Sequence, residues 1–133
     1  MQKAYDDVLA FHRQFGIPAP VRPAVPKEER IKLREKLIDE EYMELVAAMD
    51  KNDMVAIADA CADLIYVVIG TALEYGIPLP NIWDAVQLAN MSKIGGQRRA
   101  DGKILKPDGW KSPEETIKAI LDFREDSNVQ REV

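Results

Sequence analysis

The chain has one cysteine, Cys61, and one histidine, His12. A lone thiol closes no internal disulfide and builds no thiolate metal cage, a usage that fits a reducing cytoplasm. A lone imidazole excludes the di-iron carboxylate bundle, which takes a Glu-x-x-His motif from each of two helices. Strand-like alternation never extends beyond a few residues, and there is no internal repeat or low-complexity tract. No clean apolar run is long enough to cross a bilayer. The best candidate, 54–73, contains Asp59 and Asp63, and each carboxylate would cost roughly 2.5–3.5 kcal/mol at the bilayer centre. That stretch reads as a buried helix. Asp6 and Asp7 stand where a secretory signal would carry its apolar run, so the expected location is cytoplasmic, with no membrane partner.

What is present is the composition of an ordinary soluble domain. The 133 residues are 47% apolar and 31% charged, enough for one core and too few for two. A single domain over 1–133 is expected, with 126–133 as a frayed tail. The net charge of −5 argues against a nucleic-acid polymer as partner. That charge is unevenly spread. Six cations (Lys93, Arg98, Arg99, Lys103, Lys106, Lys111) face only Asp101 and Asp108, so 93–111 is +4 and the rest of the chain −9. An acidic body carrying one basic loop is the first pointer to function.

Tyr5, Val8, Leu9, Phe11 and Phe15 mark a first helix that Gly16 ends. Pro18, Pro20, Pro23 and Pro26 then exclude helix and predict an extended strap. Two long helices are predicted over 27–49 and 54–75, with a polar turn at 50–53 and a stop at Gly76-Ile77-Pro78. Asn81 is placed to cap a fourth helix, with Asp84 in its first turn and its end near Lys93-Ile94-Gly95-Gly96. Asp101-Gly102 and Asp108-Gly109 are turn signals within the loop 97–111. Ser112-Pro113-Glu114-Glu115 reads as a capping box opening a last helix to about Arg124. The fold class expected is all-α, a bundle of about five helices.

On the first long helix, Glu40, Glu41 and Glu44 fall within about 100° of arc on a helical wheel. Leu33, Leu37, Ala47 and Ala48 share that side, and a second apolar stripe (Ile31, Ile38, Tyr42, Leu45, Met49) runs beside it. The glutamates thus stand in a face that otherwise calls for burial, where an unpaired carboxylate is costly. The second long helix repeats the pattern. Asp59 and Asp63, one turn apart, are its only charges over 54–73, set among Ala56, Ala60, Tyr66, Val67 and Gly70. Arg34 and Lys36 reach only the margins of the glutamate face. Like charges drawn out of water take up protons or repel unless a cation is bound. An all-carboxylate donor set suits a hard cation, magnesium or manganese. The competing readings are a solvated face for the glutamates and a hydrogen-bonded core pair for the aspartates; the flanking leucines and alanines favour the metal. Cys61, on the far side of its helix from Asp59, reads as core, and His12 as a packing or capping residue.

Glu40-Glu41-x-x-Glu44, followed by Asp63 within Ala62-Asp63-Leu64-Ile65-Tyr66-Val67, resembles the MazG-like all-α nucleotide pyrophosphohydrolases. That superfamily also holds phosphoribosyl-ATP pyrophosphohydrolases and dimeric dUTPases. Asn90-Met91-Ser92-Lys93, then Arg98-Arg99-Ala100-Asp101-Gly102-Lys103 and Lys106-Pro107-Asp108-Gly109-Trp110, looks like its small bacterial branch with dUTP-hydrolysing members. The resemblance runs from Phe11 to Pro113. It implies Glu40, Glu41, Glu44 and Asp63 as metal-linked residues, with Glu40 or Glu41 taking a proton from the attacking water. It further implies Asn90 and Lys93 at the nucleotide, beside the expected phosphate contacts Arg98, Arg99, Lys103 and Lys106. One departure stands out. The family commonly carries glutamate three residues before the final aspartate, where this chain has Ala60, so Asp59 is the candidate replacement ligand.

The implied reaction is magnesium-dependent hydrolysis of a nucleoside triphosphate to monophosphate and pyrophosphate, with a dUTP-like substrate favoured. A phosphoribosyl-ATP pyrophosphohydrolase is one alternative; a non-catalytic helical binding module, supported by Ala60, is another. Base and sugar stay open, since Trp83 or Tyr42 could stack on any base. Two apolar stripes on one helix, together with the resemblance, imply a homodimer that completes the bundle.

Overall fold

The computed structural model describes residues 1–131, with side chains through Phe123. It contains five helices: α1 (Gln2–Phe15), α2 (Glu28–Asp50), α3 (Met54–Glu74), α4 (Leu79–Met91) and α5 (Glu114–Arg131). Among the described residues there is no strand, only an isolated antiparallel bridge between Arg98 and Ile104. The all-α class with five helices is thus what the chain adopts. It divides into two compact units, Met1–Leu79 and Pro80–Val133.

In the first unit, α2 and α3 form a helical hairpin. The turn between them needs one left-handed residue, Asn52 at φ 52°, which asparagine tolerates better than most. Asp53 then caps α3, its side chain accepting a hydrogen bond from the Ala56 N–H at 3.1 Å. α2 and α1 both pack on α3. Tyr5 and Val8 of α1 meet Ile69 and Leu73 of α3 in a small core, which Leu9, Ala19 and Leu79 extend. The proline strap returns over the end of α3, where the Ala24 N–H donates to the Tyr75 carbonyl at 3.0 Å. Gly76 allows this approach: its φ is 67°, and a Cβ there would run into the Arg22 carbonyl.

A polar cluster is buried in the same unit. Glu74, with its side chain wholly shielded, pairs with Arg30 at 2.7 Å and with Arg34 at 3.1 Å. Arg34 also donates to the Thr71 hydroxyl at 3.1 Å and to the Val67 carbonyl at 2.7 Å. Glu74 Oε2 faces Arg34 without an aligned N–H, so that contact is an ion pair only. His12 Nδ1 lies 3.1 Å from the Pro18 carbonyl, as a neutral ring donating there would. The packing role expected of His12 holds.

Several expectations change. α4 begins at Leu79, two residues before the proposed cap Asn81. Pro80 explains the earlier start, because its fixed φ suits a first turn and its missing N–H is not needed there. α5 continues to Arg131 beyond the expected end at Arg124, with no glycine or proline to stop it. The remaining tail, 132–133, lies outside the described residues. Cys61 is exposed rather than core; its neighbour Ala60, only 4% exposed, takes the inward position. α3 is also less buried than expected, with Met54, Val55, Ile65 and Val68 exposed. By length and composition alone it could cross a bilayer, with a mean hydropathy of 1.8. Here it packs on α1 and α2 and carries an aspartate into the site below.

Candidate functional site

The α2–α3 hairpin brings carboxylates from both helices to one place. One oxygen from each of Glu41, Glu44 and Asp63 lies within 4.8 Å of the other two. Glu44 is exposed while Glu41 and Asp63 are half-buried, so the group opens to solvent at Glu44. Glu41 Oε2 is shielded from water and has no hydrogen-bond partner. Burial first, then the charge of Glu44 and of Asp63, holds the Glu41 carboxyl above its ordinary range. Among the described residues no cation ion-pairs with any of the three. An oxygen-only donor set with surplus negative charge and an orphaned, shielded oxygen fits a hard divalent cation.

The other two predicted ligands lie outside this group. Glu40 is exposed, with Lys36 Nζ at 4.0 Å. Asp59 is exposed as well.

In the second unit the predicted basic loop is a short hairpin. Arg98 and Ile104 bridge its stem, the Arg99 N–H donates to the Lys103 carbonyl at 2.7 Å, and the Leu105 N–H to the Gln97 carbonyl at 2.7 Å. Gly102 turns the tip at φ 95°, as the Asp-Gly signal predicts. The cations are not equivalent. Arg99 is held by Asp101 through two contacts at 2.8 and 2.6 Å, which neutralises it within the hairpin. Lys93 and Lys106 instead lie over the Trp110 ring, at 5.2 and 5.0 Å from its centroid. Asn90 and Lys93 line an open hollow of about 390 Å³ with Met91, Ile94 and Ile104. Arg98 and Lys103 are exposed on the hairpin.

Two features escaped the sequence reading. Trp110 gathers lysines that look independent in the sequence, where its signals are its place at the end of a basic segment and in the Lys106-Pro107-Asp108-Gly109-Trp110 motif. Phe11 meets Tyr66 edge-on, with ring centroids at 5.7 Å, one turn along α3 from Asp63. The aromatic candidates Tyr42 and Trp83 are both exposed.

A helical hairpin that brings three carboxylates together, with one of the Glu41 oxygens shielded and unpartnered, has the make-up of the MazG-like all-α pyrophosphohydrolases. Comparison with known families makes the membership specific: the chain belongs to the phosphoribosyl-ATP pyrophosphohydrolase family, whose model matches residues 8–90. Pyrophosphohydrolases of this superfamily are generally metal-dependent. The matched segment includes the candidate site acids Glu40, Glu41, Glu44, Asp59 and Asp63 and stops at Asn90, so the basic hairpin stands on its own geometry. An uncharacterised protein of Acanthamoeba polyphaga mimivirus is 40% identical over 79 residues, 56% of this chain. The aligned segment spans about a third of that relative's length (32%).

Proposed function

We propose that the protein is a magnesium-dependent nucleotide pyrophosphohydrolase that releases pyrophosphate and a monophosphate, with manganese able to replace magnesium. The observation that carries this reading is that carboxylate oxygens of Glu41, Glu44 and Asp63 lie within 4.8 Å of one another, with Glu41 Oε2 shielded and unpartnered. These three carboxylates would hold the ion, and Asp59 is the candidate for the ligand position that Ala60 leaves empty of charge. When bound, the ion supplies neutralisation of phosphate charge and a more acidic water. Glu40 and Glu41 are the candidate proton acceptors for that water. Glu40 is the more exposed of the two, with a 4.0 Å contact to Lys36. Asn90, Lys93, Arg98, Lys103 and Lys106 are assigned to the substrate. Arg99 joins them only by leaving Asp101.

Two substrate classes compete. The match over 8–90 favours phosphoribosyl-ATP. A dUTP-like triphosphate, in a role of clearing the nucleotide pool, rests on the 90–113 segment that the match does not reach. We further assign a cytoplasmic, homodimeric protein with no membrane or nucleic-acid partner. The deciding experiment is pyrophosphate release from phosphoribosyl-ATP and a panel of ribo- and deoxyribonucleoside triphosphates, with magnesium, with manganese and with chelator. Turnover of one class in metal and none in chelator is expected. No release from any member would leave a non-catalytic binding module.

A further inference from the structure

We infer that Trp110 is a positioning residue, holding the ammonium groups of Lys93 and Lys106 ready for a polyphosphate anion. The inference rests on the phosphate role proposed above for the basic hairpin, and it concerns a residue to which that proposal gives no part. The indole N–H donates to the Ala89 carbonyl at 2.8 Å. The same carbonyl, near the end of α4, receives the Ser92 hydroxyl at 2.7 Å. Carbonyls in the last turn of a helix lack an intrahelical donor, so the two side chains fill an open valence and fix the indole against a buried residue. From the other side, the Trp110 N–H donates to the Pro107 carbonyl at 3.1 Å, and Gly109 turns at φ 77°. The ring is therefore held by both its backbone and its side chain.

Two ammonium groups rest on this ring, Lys93 at 5.2 Å and Lys106 at 5.0 Å, both within the range of a cation–π attraction. Neither has a carboxylate partner among the described residues, whereas Arg99 is neutralised by Asp101. Two like charges drawn to one ring without a counter-ion are stabilised by any anion that reaches them. A lysine loose in solvent loses rotamer freedom when it captures a phosphate; one already resting on a ring has lost part of it beforehand. Trp110 thus acts through the lysines. The plainer reading makes it a hydrophobic staple for the hairpin, and that reading predicts no special dependence on the lysines.

The test uses the full chain, with inorganic tripolyphosphate in the absence of divalent metal as the probe, so that the acidic group plays no part. Trp110→Leu is expected to weaken tripolyphosphate binding about tenfold, the loss of two cation–π restraints. The KM of whichever triphosphate the enzyme turns over should rise similarly, with kcat within about twofold. Trp110→Phe keeps a ring and should stay within about threefold of wild type. In a Lys93→Ala/Lys106→Ala background, Trp110→Leu should cost nothing more. By NMR, the Lys93 and Lys106 side-chain methylenes of the wild type should be shifted upfield by the ring. Absence of that shift overturns the inference even if Trp110→Leu fails to fold. A folded Trp110→Leu that binds like wild type, while the double lysine variant is impaired, overturns the inference alone. A double lysine variant that binds like wild type removes the phosphate role itself, and the inference with it.

Discussion

Replacing Glu41 by glutamine should make the metal-free protein more stable and the metal useless to it. The side chain keeps its shape and loses its charge at a place where charge is unfavourable. With oxygens of Glu41, Glu44 and Asp63 within 4.8 Å of one another, each pair repels by at least about 3.5 kcal/mol at an effective dielectric of 20. Glu44 is exposed, so water and salt screen most of this, and a net gain of about 1 kcal/mol is the reasonable expectation. For a chain of this size that is about 4 °C in Tm. The sign is checked by pH. Burial and its neighbours raise the Glu41 carboxyl above its ordinary range, so its cost to the folded state is present above the raised pKa. It disappears as the pH falls through that value towards the unfolded one. The advantage of Glu41→Gln over wild type should shrink along the same path.

Magnesium should reverse the order. At a hundred times its dissociation constant an ion adds about 2.7 kcal/mol, which the wild type gains and the variant, short of one ligand charge, does not. Thermal denaturation in chelator and across a magnesium titration, at two pH values, reads all of this alongside pyrophosphate release. A variant with the wild-type Tm in chelator, the full magnesium shift and full activity would show that Glu41 is an ordinary half-exposed glutamate. A variant less stable without metal would mean that its carboxylate makes a structural bond. Either result refutes the reasoning.

Other outcomes follow from the same geometry. Lys93→Ala and Arg98→Ala should raise KM while changing stability by less than about 0.5 kcal/mol; Arg99→Ala should do less, because Asp101 already occupies that guanidinium. An unchanged KM in all three removes the hairpin from the substrate. Exposed Tyr42, Met43 and Met49 on α2, with Val55, Ile65 and Val68 on α3, predict a light-scattering mass of twice 15.0 kDa, and a monomer at tens of micromolar contradicts it. Burial lowers the His12 pKa from the ordinary 6.5, so its stabilising neutrality is complete above 6.5 and is lost as pH falls from there through the lowered value. His12→Gln should flatten the wild-type loss of stability over that window, and parallel curves would refute this.

The acids could be read from the sequence because a charge inside an apolar helical face is costly until a counter-charge meets it. Glu41, Glu44 and Asp63 were all found this way. What the wheel did not give is how far each turns inward: Glu40 shares the arc with Glu41 yet is exposed, since a wheel fixes direction and not the depth of the neighbouring helix. The homodimer expectation came from the same kind of surplus, two apolar stripes on α2, and the exposed side chains on that helix are what the light-scattering measurement addresses. Trp110 was illegible for a different reason. Its partners lie at positions 89, 93 and 106, and only the closed hairpin brings them to one ring.

The least legible feature, the buried Arg34–Glu74 pair, is the one that accounts for the site. In sequence Arg34 stands at the margin of the glutamate face and Glu74 at the end of an apolar helix, 40 residues apart. Across the hairpin they meet. Arg34 lies two turns from Glu41 along α2, and its partners Val67 and Thr71 lie one and two turns from Asp63 along α3. Because the chain reverses at Lys51–Asp53, these are matching distances from the carboxylate group, about 10 Å away at 1.5 Å per residue. A slip of α2 by one residue would carry Arg34 off both acceptors and, by the same 100° rotation, turn Glu41 away from Asp63. Gly70 belongs to this lock, since a Cβ there would come within 2.6 Å of Arg34 Nη2 and 3.0 Å of His12 Nε2. Removing one member of a buried pair costs about 3–5 kcal/mol, far more than the repulsion among the acids after screening. The register that crowds three carboxylates together is therefore set two turns away, by a buried carboxylate that two guanidiniums neutralise.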